Sequence, residues 1–358
     1  MAMDTLRALL SARRKKSAEP MAASILHAAD PSWRPERRGR QWNLVGATFC
    51  GANWAEVNLA GAEIGACDLA NANLESAVFD NAFAIGIRFT GARLIAASLI
   101  HVNASGASFA GANLEGARLA NAKLIGANFV NANLNDAALM RAQLGQADLS
   151  SASLRKADLS HAVLVGSILV DADMSDAVLF QADLSGTDLR RACLDGARFK
   201  NAILKEVQLE DVRVMRAQFP NADLRRGHLT GSILPGVDFS KADLRSAGLG
   251  EIDWEGADLR GANLKGATFH MGSSRSGLVG SPIACEGSKT GFYTDDLEDL
   301  NFKRPEEVRK ANLRGADLRG VKADGVDFYL VDLRDAKLDP ALREQAGQTG
   351  AILEDLVA

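Results

Sequence analysis

The chain has 358 residues, 47% of them hydrophobic, and a formal net charge of −4. That is enough apolar side chain to bury a large core, as one long body or as two ordinary domains. No stretch is long and apolar enough to span a bilayer. The four cysteines, Cys50, Cys67, Cys193 and Cys285, lack metal-binding spacing and read as reduced thiols in a cytoplasmic protein.

Residues 1–40 carry nine Lys or Arg against four Asp or Glu. Asp4 to Lys16 can form a short helix with Leu6, Leu9 and Leu10 on one side, trailed by Arg13, Arg14, Lys15 and Lys16. A charged start with neither a following apolar run nor a cleavage site argues against a secretory signal. The segment is expected to be a basic arm, partly disordered or a short helix. A sharper alternative makes it an electrostatic anchor for anionic lipid or nucleic acid.

From 41 to 271 the sequence repeats with a period of five. Steps of five from Leu44 pass through Phe49, Trp54 and Leu59 without a break to Phe269, giving 46 centres. Leu or Phe fills 39 of them, and Ala stands two residues before the centre in 33, so the pattern is too regular for chance. A helix cannot use it, because a step of five turns the side chain by about 140° and scatters the apolar residues around the axis. In an extended chain, residues two apart share a face, so each Ala points the same way as the following Leu or Phe. The next Ala comes three residues later, so the chain must turn once per pentapeptide. Gly, Asn, Asp and Ser crowd the two residues after each centre, as turns require. Four turns close a square coil around the Ala and Leu side chains, and coils stack at the ~4.8 Å spacing of neighbouring strands.

Ala72-Asn73-Leu74-Glu75-Ser76, Ala132-Asn133-Leu134-Asn135-Asp136 and Ala242-Asp243-Leu244-Arg245-Ser246 follow the pattern A(D/N)LXX. In this the chain resembles the pentapeptide repeat family, continuously over 42–271 and again over 311–340. The resemblance implies an all-β fold, a right-handed quadrilateral β-helix, whose hand the periodicity alone leaves open. Residues twenty apart then lie above one another. Phe89, Phe109 and Phe129 should form one interior stack, and Phe199, Phe219 and Phe239 another. Ala84 and Ala104 replace Leu in successive coils, and Val102 at the small inner position offsets the second loss. About eleven and a half coils would give ~55 Å of rod.

Residues 272–310 interrupt the repeat. Their first half is rich in Gly and Ser and reads as a flexible loop, and their second half holds helix starts at Thr294 and Pro305. Centres resume at Leu313 over 311–338, one place out of the old register, so the last coils either restack or pack against the rod. Asp339-Pro340 opens a helical cap over 339–358, needed because an exposed coil is an open sheet edge. The resemblance implies that this end can form a homodimer, through Ile352, Leu353 and Leu356.

No catalytic constellation is present, and no cofactor or metal site is expected. The five histidines, His27, His101, His161, His228 and His270, are isolated, and the many Asp residues precede centres where Asp and Asn alternate. Gly287-Ser288-Lys289-Thr290 lacks both the spacing and the strand–loop–helix context of a phosphate-binding loop.

Function must therefore lie on the outer faces. Lys205, Arg225, Arg245 and Lys265 fall twenty apart and should stack as a column with Arg226 beside it, partly offset by Glu206, Asp223 and Asp243. Such a column can take an anionic partner. Val163, Val165, Ile168, Val170, Val178 and Phe180 form an apolar ring at outward positions of one coil, and Phe83, Ile85, Ile95 and Ile100 form a smaller set. These residues point to a non-catalytic protein-binding or scaffolding solenoid. The resemblance adds an alternative, because some members of the family mimic DNA, bind type II topoisomerases such as DNA gyrase or topoisomerase IV, and protect them. The basic arm leaves a third, a membrane-associated or secreted effector-like adaptor.

Overall fold

The computed structural model describes residues 5, 19–35, 42–212, 215–269 and 311–354, and the chain divides into two compact units, Met1–Asp183 and Leu184–Ala358. Apart from Thr5, the helix expected over 4–16 lies outside the described residues, as do the insertion with its helix starts, and Leu356.

Among the described residues nearly every pentapeptide supplies one parallel bridge and one turn. In the first, Asn43 bridges Glu63, the Leu44 carbonyl accepts from the Ala47 N–H at 2.9 Å, and Gly46 sits between at φ +72°. A bond closing four residues with positive φ at the third is the pattern of a type II turn, which favours Gly or Asn there. The Asp or Asn before each centre adds a second hold. Its Oδ1 accepts from the backbone N–H two residues on, as in Val130 to Asn128 at 2.9 Å and Ser240 to Asp238 at 2.8 Å. Asp and Asn interchange in this turn because it uses only the acceptor oxygen.

Successive coils are offset by twenty residues. In the first unit one ladder runs Asn43, Glu63, Phe83, Asn103, Lys123, Gln143, Val163 and Asp183. Inside it, Phe89 and Phe109 stack at 5.2 Å between ring centroids, and Phe109 and Phe129 at 4.7 Å. Ala84 and Ala104 are fully buried, and so are Ile87 and Val102 at the small inner positions, so bulk lost at the centre returns beside it.

The N-terminal edge is covered. Helix α1 (Glu19–Ala29) lies within the stretch expected to be a basic arm, and it buries Ala22, Ala23 and Leu26. His27 meets the rings of Phe49 and Trp54 edge-on, and Trp33 stacks on Phe49 at 6.2 Å while its carbonyl accepts from Trp54 Nε1 at 3.0 Å. Ser24 Oγ accepts the otherwise open N–H of Thr48 at 3.0 Å, which blunts the sheet edge.

The second unit repeats the architecture with its own stack, Phe199 and Phe219 at 4.6 Å and Phe219 and Phe239 at 5.0 Å. Gly227 takes a small inner position above Val207, whose Cγ1 would lie 3.4 Å from an added Cβ. Across 270–310 the offset changes: Asp253 bridges Asn312, Asp258 bridges Asp317 and Asn263 bridges Lys322. The one-place shift is therefore absorbed by the insertion, and the last repeats restack directly on the coil before it. Helix α2 (Pro340–Thr349) closes this end with Asp339 at its N-cap and Leu342 and Ala346 buried. Gln345 Nε2 donates to the carbonyls of Ala323 at 2.8 Å and Val326 at 3.1 Å. Ile352 then returns to bridge Asp332, so it is committed to the ladder.

Candidate functional site

The outer surface of the second unit is organised by one recurring tripeptide. Asp-Leu-Arg occurs at 188–190, 223–225, 243–245, 258–260, 317–319 and 332–334, and nowhere before residue 184. The central Leu points inward, so the Asp and Arg emerge side by side. Each Arg forks its own Asp: Arg225 Nε and Nη2 donate to Asp223 Oδ1 and Oδ2 at 2.8 and 2.7 Å, and Arg319 does so to Asp317 at 2.9 and 2.6 Å. Bidentate, charge-assisted pairs hold both side chains against the coil.

The Arg319 fork pulls the Asp317 carboxyl down to about 2, and Arg260 and Arg334 lower Asp258 and Asp332 in the same way. An unfolded Asp titrates near ~3.9. A folded pKa depressed below that value contributes stability that is complete above pH ~4 and is lost as pH falls through about 2. Carboxyl carbon NMR should show Asp317 titrating near 2 in the intact chain and near its ordinary value in Arg319→Gln. Equal titration in both proteins would refute the fork.

The predicted basic column forms. The N–H groups of Glu206, Arg226 and Ser246 donate to the carbonyls of Arg225, Arg245 and Lys265 at 3.0, 3.0 and 3.1 Å, which fixes the stacking. Lys205, Arg225, Arg226, Arg245 and Lys265 line one open surface depression together with Glu206. The column differs from a bare cationic strip. Arg225 and Arg245 are forked by Asp223 and Asp243, Lys205 Nζ lies 3.7 Å from Asp223, and Arg226 pairs with Glu206 at 3.1 Å. Lys265 alone of the five has no ion pair among the described residues. An anion arriving here must compete with carboxylates already in place.

The apolar ring of the first unit is divided. Val163, Val165 and Ile168 are each 41–42% exposed, around one corner, whereas Val170, Val178 and Phe180 are half-buried. Phe180 meets the exposed His161 edge-on at 5.4 Å. The third side of the same coil presents Asp173 with Ser175 bonded to it, so the ring is interrupted there.

Among the described residues, no group of His, Cys, Asp and Glu could hold a metal ion. Cys67 is buried with its thiol donating to the Leu44 carbonyl at 2.6 Å, and burial pushes it up to about 12, which makes it unreactive.

A family model described as pentapeptide repeats matches residues 43–270 and 309–339. The chain belongs to the pentapeptide repeat family. With membership comes the hand of the coil, and each unit is a right-handed quadrilateral β-helix. Among solved structures, the pentapeptide repeat protein HetL of Nostoc sp. strain PCC 7120, involved in heterocyst differentiation regulation, is 31% identical. That match covers 60% of this chain and 86% of HetL at a TM-score of 0.32. A pentapeptide repeat protein of the Arabidopsis thaliana thylakoid lumen is also 31% identical, over 29% of this chain and 69% of its own, at 0.24. QnrB1, a plasmid-mediated fluoroquinolone resistance protein, is 18% identical over 73% of this chain and 88% of its own, at 0.27. No curated protein matches the sequence.

Proposed function

We propose that this pentapeptide repeat protein is a non-catalytic binding solenoid that engages a protein partner through its outer surface, centred on the coil from Val163 to Phe180. The observation that carries this reading is the exposure of Val163, Val165 and Ile168 around a single corner. Scattered exposed apolars are ordinary, but a contiguous set on a rigid coil is what protein contacts use. The repeat places no demand on these outward positions, since Asn, Asp, Ser and Arg fill them elsewhere. The topoisomerase-mimic reading asks for a continuous acidic face. In the second unit the forks cover Asp after Asp with arginine, which favours the scaffold.

Capture from host lysate with the full chain and with Val165→Glu/Ile168→Glu tests the proposal. Both substituted side chains are exposed, so thermal unfolding should be unchanged within a degree or two. At least one protein should be retained by the parent chain and lost by the variant. Identical sets of retained proteins would sink the reading.

A further inference from the structure

Six of the eight large apolar residues exposed on the coils of the first unit share one side. They are Val45, Phe83, Ile85, Ile125, Val163 and Val165, while Met140 and Ile168 lie on others. Their order along the axis is regular. The outward positions just after the centres read Val45, Gly65, Ile85, Ser105, Ile125 and Gly145, one per coil. A branched apolar side chain thus projects from every second coil, with Gly or Ser between, at a repeat of ~9.6 Å.

Neither Gly65 nor Gly145 has a positive φ. A Cβ on Gly145 would make only an ordinary 3.6 Å contact with the Val165 carbonyl, so the chain's own backbone does not require glycine there, whereas one on Gly65 would sit a tight 3.3 Å from the Ile85 carbonyl. Knobs and holes of equal period in one column, at the turns that border this side, make a surface that is complementary to itself. A two-fold axis crossing that side between the Ile85 and Ser105 coils reverses the order of the coils. Val45 of one copy then faces Gly145 of the other, Ile125 faces Gly65, and Ile85 faces Ser105. A half-coil displacement of the axis would instead set knob on knob.

The neighbouring outward column obeys the same symmetry. Over these six coils its charged members are Glu63 and Lys123, and neither has an ion pair among the described residues. They stand at equal distances on either side of that axis, so each meets its opposite in the second copy, twice per pair of chains. Beside the axis Phe83, which is 55% exposed, covers Asn103 of the other copy. Ser105 Oγ already donates to Asn103 Oδ1 at 3.0 Å, so part of the cost of desolvating this pair is met within the chain.

We infer that the Val45–Gly145 side is an isologous, antiparallel homodimer surface whose register is set by Glu63 against Lys123. It leaves the ring at Val163–Phe180 outside the six-coil contact, so the inference goes beyond the proposed partner site and can fail without it. A strip one side wide and ~24 Å long is at the small end of specific interfaces, so the dimer should be weak, with a dissociation constant on the order of 100 µM taken for the test.

Sedimentation velocity of the full chain over a concentration series to about 500 µM, several times that constant, should show reversible dimers. Glu63→Lys alone and Lys123→Glu alone should each weaken the dimer roughly five- to tenfold, since each puts like charges together at two sites. The double reversal, Glu63→Lys with Lys123→Glu, should restore association to within about twofold of the parent. A chain that stays monomeric throughout, a dimer indifferent to the single reversals, or a double reversal that fails to restore it would each overturn the inference.

Discussion

Phe109→Ala is expected to destabilise the first unit by about 3–5 kcal/mol, the range for emptying a buried aromatic site. Phe109 is fully buried and is the middle ring of three, touching Phe89 below and Phe129 above. Its coils are bonded to their neighbours through backbone ladders that cannot close without losing register, so the cavity persists. Each coil touches only the next, so the loss should be local. Urea unfolding followed by hydrogen exchange should show the largest acceleration at amides from about 85 to 135. A loss under about 1.5 kcal/mol, or exchange raised evenly over the chain, would mean that the stack is incidental to the fold.

Leu26→Asp should release α1. Leu26 is fully buried in the helix that covers the first coil, so a carboxylate there would be taken out of water. Burying it is costlier than detaching the helix, so the cap should open at a cost of about 2–5 kcal/mol, comparable to losing a buried leucine outright. Detachment uncovers Phe49, Trp54 and the backbone edge at Thr48 that Ser24 now caps. An uncovered β-edge pairs with other chains, so light scattering should rise with concentration. The tryptophan emission should also shift to the red as Trp33 leaves Phe49 and Trp54. Unchanged emission and scattering would show that the first coil needs no cover.

The coil was legible because inward positions tolerate so little. A centre that is Leu or Phe with Ala two before it can be satisfied in only one way, and the stacks at Phe89 and Phe199 follow from arithmetic. The one-place shift after residue 310 was legible too. Restacking was not, because it depends on where the ends of the insertion emerge. Helix α1 was less legible because its apolar positions are mostly small alanines and the stronger charge pattern lies in the segment before it, at 13–16. Pro20 near a helix start and the apolar set Ala22, Ala23 and Leu26 were the available signals.

On the surface, positions were legible in the sequence and charge states and exposure were not. The column of Lys205, Arg225, Arg245 and Lys265 was placed by counting. Its neutralisation required seeing that residues two apart across an inward Leu are close enough to fork. The tripeptide Asp-Leu-Arg, confined to residues after 184, was the signal. The apolar ring was identified by composition, but exposure at only three of its six members emerges from how the side chains lie along the coil.

Hydrogen exchange of the full chain, free and bound to the protein that Val165→Glu/Ile168→Glu fails to retain, tests the central claim most directly. Slowed exchange centred on residues 163–180, with the remaining coils unchanged, is the predicted result. Protection that leaves 163–180 untouched and falls elsewhere would contradict it.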